Sequence, residues 1–128
     1  MESRGESSSN RLNEGSATMK LPNGERAFVP LEKLTGYLLS ETHPTGQSKA
    51  RFFRSLGFTA ESAHLLESQL LVLARDADGA VPSLSPHGQK YSLIGTITAP
   101  NGRQARIQTV WIIEPGDERP RFVTAYPA

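Results

Sequence analysis

The sequence predicts an α+β domain in which N-terminal helices pack on a C-terminal antiparallel β-meander. Three observations carry that reading. Leucines recur at helical spacing up to about residue 76, the period drops to two from about Gln89, and short Pro/Asn/Gly turns join the alternating runs. Connections that short make neighbouring strands antiparallel. Three strands with one apolar face need a cover, and the helices ahead of them supply it.

Taken in order, residues 1–18 are rich in Ser, Glu, Gly and Asn and are expected to be a disordered leader, because they hold too little apolar surface to offset ordering entropy. A single domain is expected over 19–128. Leu21-Pro22-Asn23-Gly24 is turn chemistry, and Ala27-Phe28-Val29 a short extended piece. Pro30 suits a first helical turn, and Leu31, Leu34 and Leu38 place a helix over about 31–40. After a loop over 41–46, Thr45 caps a second helix over about 47–56 that Gly57 ends. Thr59 caps a third over about 60–75, with Ala63, Leu66, Leu70 and Leu73 as its stripe. Residues 83–89 read as a loop. Tyr91, Leu93 and Ile97 then alternate with Ser92, Thr96 and Thr98, and Pro100-Asn101-Gly102 turns the chain. Ala105, Ile107, Thr109, Trp111 and Ile113 form the apolar face of the next strand, and residues 121–126 the last one.

Composition narrows the function classes. Lys plus Arg is 14 and Asp plus Glu 13, a formal charge of +1. With no cysteine, disulfides and thiolate chemistry are excluded. No apolar run reaches the roughly 18 residues of a membrane span, and the start lacks the basic-then-apolar order of a signal peptide, so a cytoplasmic location is expected. Histidine spacing matches no helical zinc site, glycine spacing no phosphate loop, and no Gly-x-Ser-x-Gly elbow is present. No cofactor or metal is implied.

The charge distribution is more telling than its sum. Residues 79–113 contain no Asp or Glu but hold His87, Lys90, Arg103 and Arg106; residues 42–60 are also acid-free and hold His43, Lys49, Arg51 and Arg54. Strands disfavour acids in any case, so these cations could be ordinary solvated residues. They could also converge from helix and sheet into an anion site. Lys49 lies in line with Phe52, Phe53 and Leu56 at i+3, i+4 and i+7. Its stem therefore follows the apolar stripe, and its ammonium either reaches water or stands at a cleft edge facing a phosphate or carboxylate. His64 reads as a surface residue of the third helix. Trp111 and Tyr91 could stack a base, but their place on the apolar face makes them core.

The runs Lys20-Leu21-Pro22-Asn23, His43-Pro44-x-Gly46-x-x-Lys49-Ala50-Arg51-Phe52-Phe53 with Leu56-Gly57-Phe58, Thr109-Val110-Trp111-Ile112-Ile113 and Phe122-Val123-Thr124-Ala125-Tyr126-Pro127 resemble a bacterial domain family of unknown function over about residues 19–127. More distantly, the element order and the Thr-Ala-Tyr-Pro ending resemble small ribonuclease toxin domains of the barnase–EndoU–colicin–RelE group. That resemblance implies helices ahead of a four-stranded antiparallel sheet, with RNA cut on the sheet face. It transfers no individual catalytic residue, because those families differ in which side chains act.

Metal-free RNA cleavage needs a proton acceptor for the 2′-hydroxyl, a proton donor for the leaving oxygen and cations for the charged intermediate. His43 or His87 could accept the proton. Lys49, Lys90 and Arg51 could hold charge, Tyr126 or Thr124 donate hydrogen bonds, and Arg54 and Arg106 add to an anion site with Lys90 and Thr124. The expected partners are thus RNA, or a cognate antitoxin or immunity protein if the domain is a non-catalytic binding module. An enzyme acting on another anionic substrate is the third class. The near-neutral charge counts against strong nonspecific RNA binding.

Overall fold

A computed structural model of the chain describes residues 19–39 and 47–128. The expected leader and the loop holding His43 and the Thr45 cap lie outside the described residues. A 3-10 turn, Gly24–Arg26, precedes α1, which begins as one α-helical turn, Leu31–Lys33. It continues as a π-helical turn, Leu34–Leu38, closed by the Leu39 N–H donating to the Leu34 carbonyl at 2.7 Å. The wide turn corrects the expected stripe. Among the described side chains of this stretch, Leu34 and Leu39, five residues apart, are buried, and Leu31 is exposed.

Helix α2, Gln47–Ser55, ends as its sequence requires. Gly57 takes φ +99°, its N–H reaches the Arg54 carbonyl at 2.9 Å, and the Phe58 N–H reaches the Phe53 carbonyl at 3.1 Å. This is the paired bonding of a Schellman end, and the Phe53 and Phe58 rings meet edge to face across it, 6.3 Å apart. Immediately after Thr59, a 3-10 turn, Ala60–Ser62, leads into α3, Ala63–Asp76. The Thr59 N–H donates to Ser62 Oγ at 2.8 Å, half of a capping box. The stripe expected on α3 is buried at Ala63, Leu66, Leu70 and Leu73.

Four strands follow, not the three that alternation alone indicates: β1 (Val81–Ser85), β2 (Gly88–Thr98), β3 (Gln104–Ile113) and β4 (Arg121–Pro127). They pair antiparallel in the order β1-β2-β3-β4. Strand β1 lacks alternation because it is an edge strand with four of its five residues exposed, so no core face imprinted a period on it. Its Pro82 is tolerable there, since an edge strand has one row of backbone groups without a ladder partner. The segment over 83–89 is therefore a hairpin: Ser85 Oγ donates to the Gly88 carbonyl at 2.8 Å, and Gly88 takes φ +138°.

Side chains directly opposite one another share a face. Leu93, Ile97, Ile107, Thr109, Trp111, Phe122 and Ala125 line the core face, all buried. Helix α3 lies against β2 so closely that a Cβ on Gly95 would stand 2.6 Å from two Leu73 side-chain atoms. Helix α2 packs at the β4 end of the sheet. Trp111 and Phe122 meet edge to face at 5.4 Å. The indole N–H donates to Thr109 Oγ1 at 2.8 Å, and that hydroxyl donates to the Leu93 carbonyl at 2.9 Å, so two buried polar groups are satisfied by one side chain.

Candidate functional site on the outer sheet face

The other face carries the candidate residues, and a bulge aims two of them. Strand β4 pairs Phe122 with Trp111 but Thr124 with Val110, which leaves Val123 as an extra residue. Without it, Phe122 and Thr124, two apart, would point the same way. The bulge reverses the alternation, so Phe122 and Ala125 turn inward while Thr124 and Tyr126 turn outward.

Register then places four rows on the outer face. Ser83, Lys90, Ile112 and Arg121 make one row; Val81, Ser92, Val110 and Thr124 the next; Ile94, Gln108 and Tyr126 a third; Thr96 and Arg106 the last. Lys49 reaches this face from α2 at the β4 edge. Its Nζ donates to Thr124 Oγ1 at 3.1 Å and stands 5.9 Å from the centre of the Tyr126 ring. At that edge an ammonium, a secondary hydroxyl and a phenol meet. Arg106 lies one row from Tyr126 along the diagonal, within roughly 8 Å between backbones, and is exposed.

Beside this corner is a pocket of about 430 Å³. Ser92 and Ile94 of β2 form its floor; Val81, Gly79 and Asp78 bound it on the β1 side, and Arg106 and Gln108 on the β3 side. Gln108 is directly opposite Tyr126, so pocket and corner adjoin. Asp78 pairs with Lys20 at 3.3 Å, with both side chains exposed.

The structure thus brings Lys49, Thr124 and Tyr126 into contact and sets Lys90 and Arg106 on the same face. It separates Arg51 and Arg54 from them. At about 100° per residue, both arginines project from the flank of α2 away from Lys49. Arg51 is exposed, and the buried Arg54 Nη1 has no hydrogen-bond partner among the described residues. His87 sits exposed in the β1–β2 turn. Tyr91 is half-buried against the core, and His64 is exposed beside Glu67 Oε1 at 3.2 Å. The pocket itself was missed by sequence reasoning, because Asp78, Val81, Ile94 and Gln108 come from three strands and a turn with no shared motif. Among the described residues, no helix is long and apolar enough to cross a membrane, and no three His, Cys, Asp or Glu are grouped to hold a metal.

The fold has a counterpart among solved structures. A chain of a contact-dependent growth inhibition toxin–immunity protein complex from Klebsiella pneumoniae 342 superposes with a TM-score of 0.64 at 16% identity, covering 81% of this chain and 95% of that one. At that identity the likeness shows a shared fold. No curated protein matches the sequence. Residues 20–128 match the profile of an uncharacterised family, and the chain belongs to that family, the domain of unknown function DUF6883.

Proposed function

We propose that this domain is a toxin-type ribonuclease that binds RNA on the outer sheet face and cleaves it, without a metal, from the Lys49 corner. The observation that carries the reading is the meeting of Lys49, Thr124 and Tyr126 at the edge of a face that also presents Arg106. In this chemistry the 2′-hydroxyl gives its proton to a base as its oxygen attacks the adjacent phosphorus. The bond to the 5′-oxygen breaks as that oxygen takes a proton from an acid or from water, and a 2′,3′-cyclic phosphate and a free 5′-hydroxyl result. Lys49 and Arg106 stabilise the dianionic intermediate, and the Tyr126 and Thr124 hydroxyls donate to its oxygens. His43 is assigned the proton acceptor and stands four residues ahead of α2. The donor set of cations and hydroxyls suits a phosphate, and the fold likeness to a chain from a toxin–immunity complex supports a role in such a system.

A second reading, a non-catalytic partner in such a system, is favoured by the near balance of 14 basic and 13 acidic residues. Induced expression distinguishes the two. A ribonuclease arrests growth and fragments cellular RNA, and Lys49→Ala relieves both while the protein remains folded. Normal growth with intact RNA, alongside soluble folded protein, would overturn the enzyme and leave the binding module.

A further inference from the structure

We infer that the pocket between β1 and β3 seats a nucleobase, and that the base is guanine; the inference rests on the RNA-binding reading of the same face. Placement comes first. Gln108 is at once a pocket wall and the cross-strand neighbour of Tyr126, so a ligand whose phosphate meets Lys49 and Tyr126 extends its sugar and base toward β2. The walls on β1 and β3 are two strand spacings apart, about 9.5 Å, which admits a ring lying flat across β2. Its floor is partly apolar: Ile94 is 41% exposed although it stands in the middle of a long strand, and Val81 is 60% exposed beside it. Aliphatic surface left open within a polar rim gives a planar ring something to cover.

The polar groups choose the base. Asp78 offers carboxylate oxygens, which only accept, on one side, with Lys20 already on its Oδ1 at 3.3 Å; Arg106 offers only donors on the other, and Gln108 and Ser92 can do either. Guanine carries two adjacent donors, N1–H and the 2-amino group, on one edge. It carries two adjacent acceptors, O6 and N7, on another, and an arginine meets those two in a fork. A carboxylate facing the N1 edge and a guanidinium facing the O6/N7 edge therefore satisfy guanine on both sides. Adenine would turn its N1 acceptor toward the Asp78 carboxylate, and cytosine its N3 acceptor. Uracil has a single ring donor flanked by two acceptors. None of the three meets the carboxylate with paired donors and the guanidinium with paired acceptors at once, which is how a site rejects a near relative.

The probes are the four nucleoside 3′-monophosphates, titrated against the full chain by calorimetry or amide chemical shifts. Guanosine monophosphate should bind at least about ten-fold tighter than the other three, the discrimination of one good bidentate contact. Asp78→Asn and Arg106→Met should each remove that preference while leaving residual binding common to all four. Lys49→Met should weaken all four alike, because it acts on the phosphate. Asp78 and Arg106 are exposed, so their variants should fold; the selectivity of the unaltered protein is decisive by itself if one does not. Equal affinity for the four bases would overturn the guanine assignment, whether or not binding depends on Lys49. Guanine preference without cleavage of any RNA would uphold the pocket and remove the nuclease reading, and failure of all four to bind would overturn both.

Discussion

Replacing Thr109 by valine keeps the volume and the β-branch and deletes one oxygen. That oxygen stands between the Trp111 indole N–H at 2.8 Å and the Leu93 carbonyl at 2.9 Å, and Thr109 and Trp111 are wholly buried. Without it the indole donor faces an apolar methyl, and a buried donor left unmade costs about 1–3 kcal/mol. The Leu93 carbonyl adds less, since a carbonyl oxygen has a second lone pair with which to accept. A total near 2 kcal/mol lowers the melting temperature of a domain of this size by roughly 8 °C. Urea denaturation measures it, and the emission of Trp111, the protein's one tryptophan, reports the site directly. Trp111→Phe completes a cycle, followed by circular dichroism because the fluorophore is gone. The two changes together should cost less than their sum by about 1–2 kcal/mol, since the phenylalanine ring leaves no donor to satisfy. A loss under about 0.5 kcal/mol for Thr109→Val, or strict additivity in the cycle, would refute the relay. The stake is functional as well as structural, because Gln108 and Val110, the outward neighbours of Thr109, sit on the face that carries the site.

Gly95→Ala drives a methyl into Leu73 and should cost about 1–3 kcal/mol by overpacking, read as a shift in urea midpoint; no shift would mean that α3 stands off β2. Lys49→Ala should weaken binding of a short RNA by about 1–3 kcal/mol, the range for a charge-assisted contact, and flatten its salt dependence. Its melting curve should stay in place, because Phe53 and Leu56 keep the α2 packing; unaltered binding would dismiss the corner. Asp117 accepts the N–H groups of Arg119 and Glu118 at 2.9 and 2.7 Å, and these bonds, the Arg119 one foremost, hold its pKa below the usual carboxylate range. A depressed pKa stabilises the turn above the unfolded value, and the contribution is lost as pH falls through the folded one. The Glu118 and Arg119 amide shifts should therefore move only at a pH below the ordinary aspartate range, and a midpoint within that range would contradict the bonding.

What the chain determined locally was legible where a residue type has one physical use. Gly57 marks a helix end because the turn there needs φ +99°, and Pro100-Asn101-Gly102 marks a hairpin because Gly102 takes φ +85°. The α3 stripe and the inward set of β3 were legible because a core leaves its period on any element that it half buries. Where no core touches a strand, no period is left, and the sequence of β1 reads as a loop for that reason. The π-helical turn was likewise hidden, since Leu31, Leu34 and Leu38 fit a regular helix as well as Leu34 and Leu39 fit the wide one.

The site divides in the same way. Its residue types could be named from acid-free segments and from Lys49 on its apolar stripe, but which of them meet could not. Arg51 is two residues from Lys49 and points elsewhere, whereas Thr124 is 75 residues away and touches it. The decisive step is the extra residue Val123, which turns Thr124 and Tyr126 outward. A bulge is a property of the pairing between two strands, set by how Phe122 and Trp111 seat together in the core, and no alternation within either strand records it.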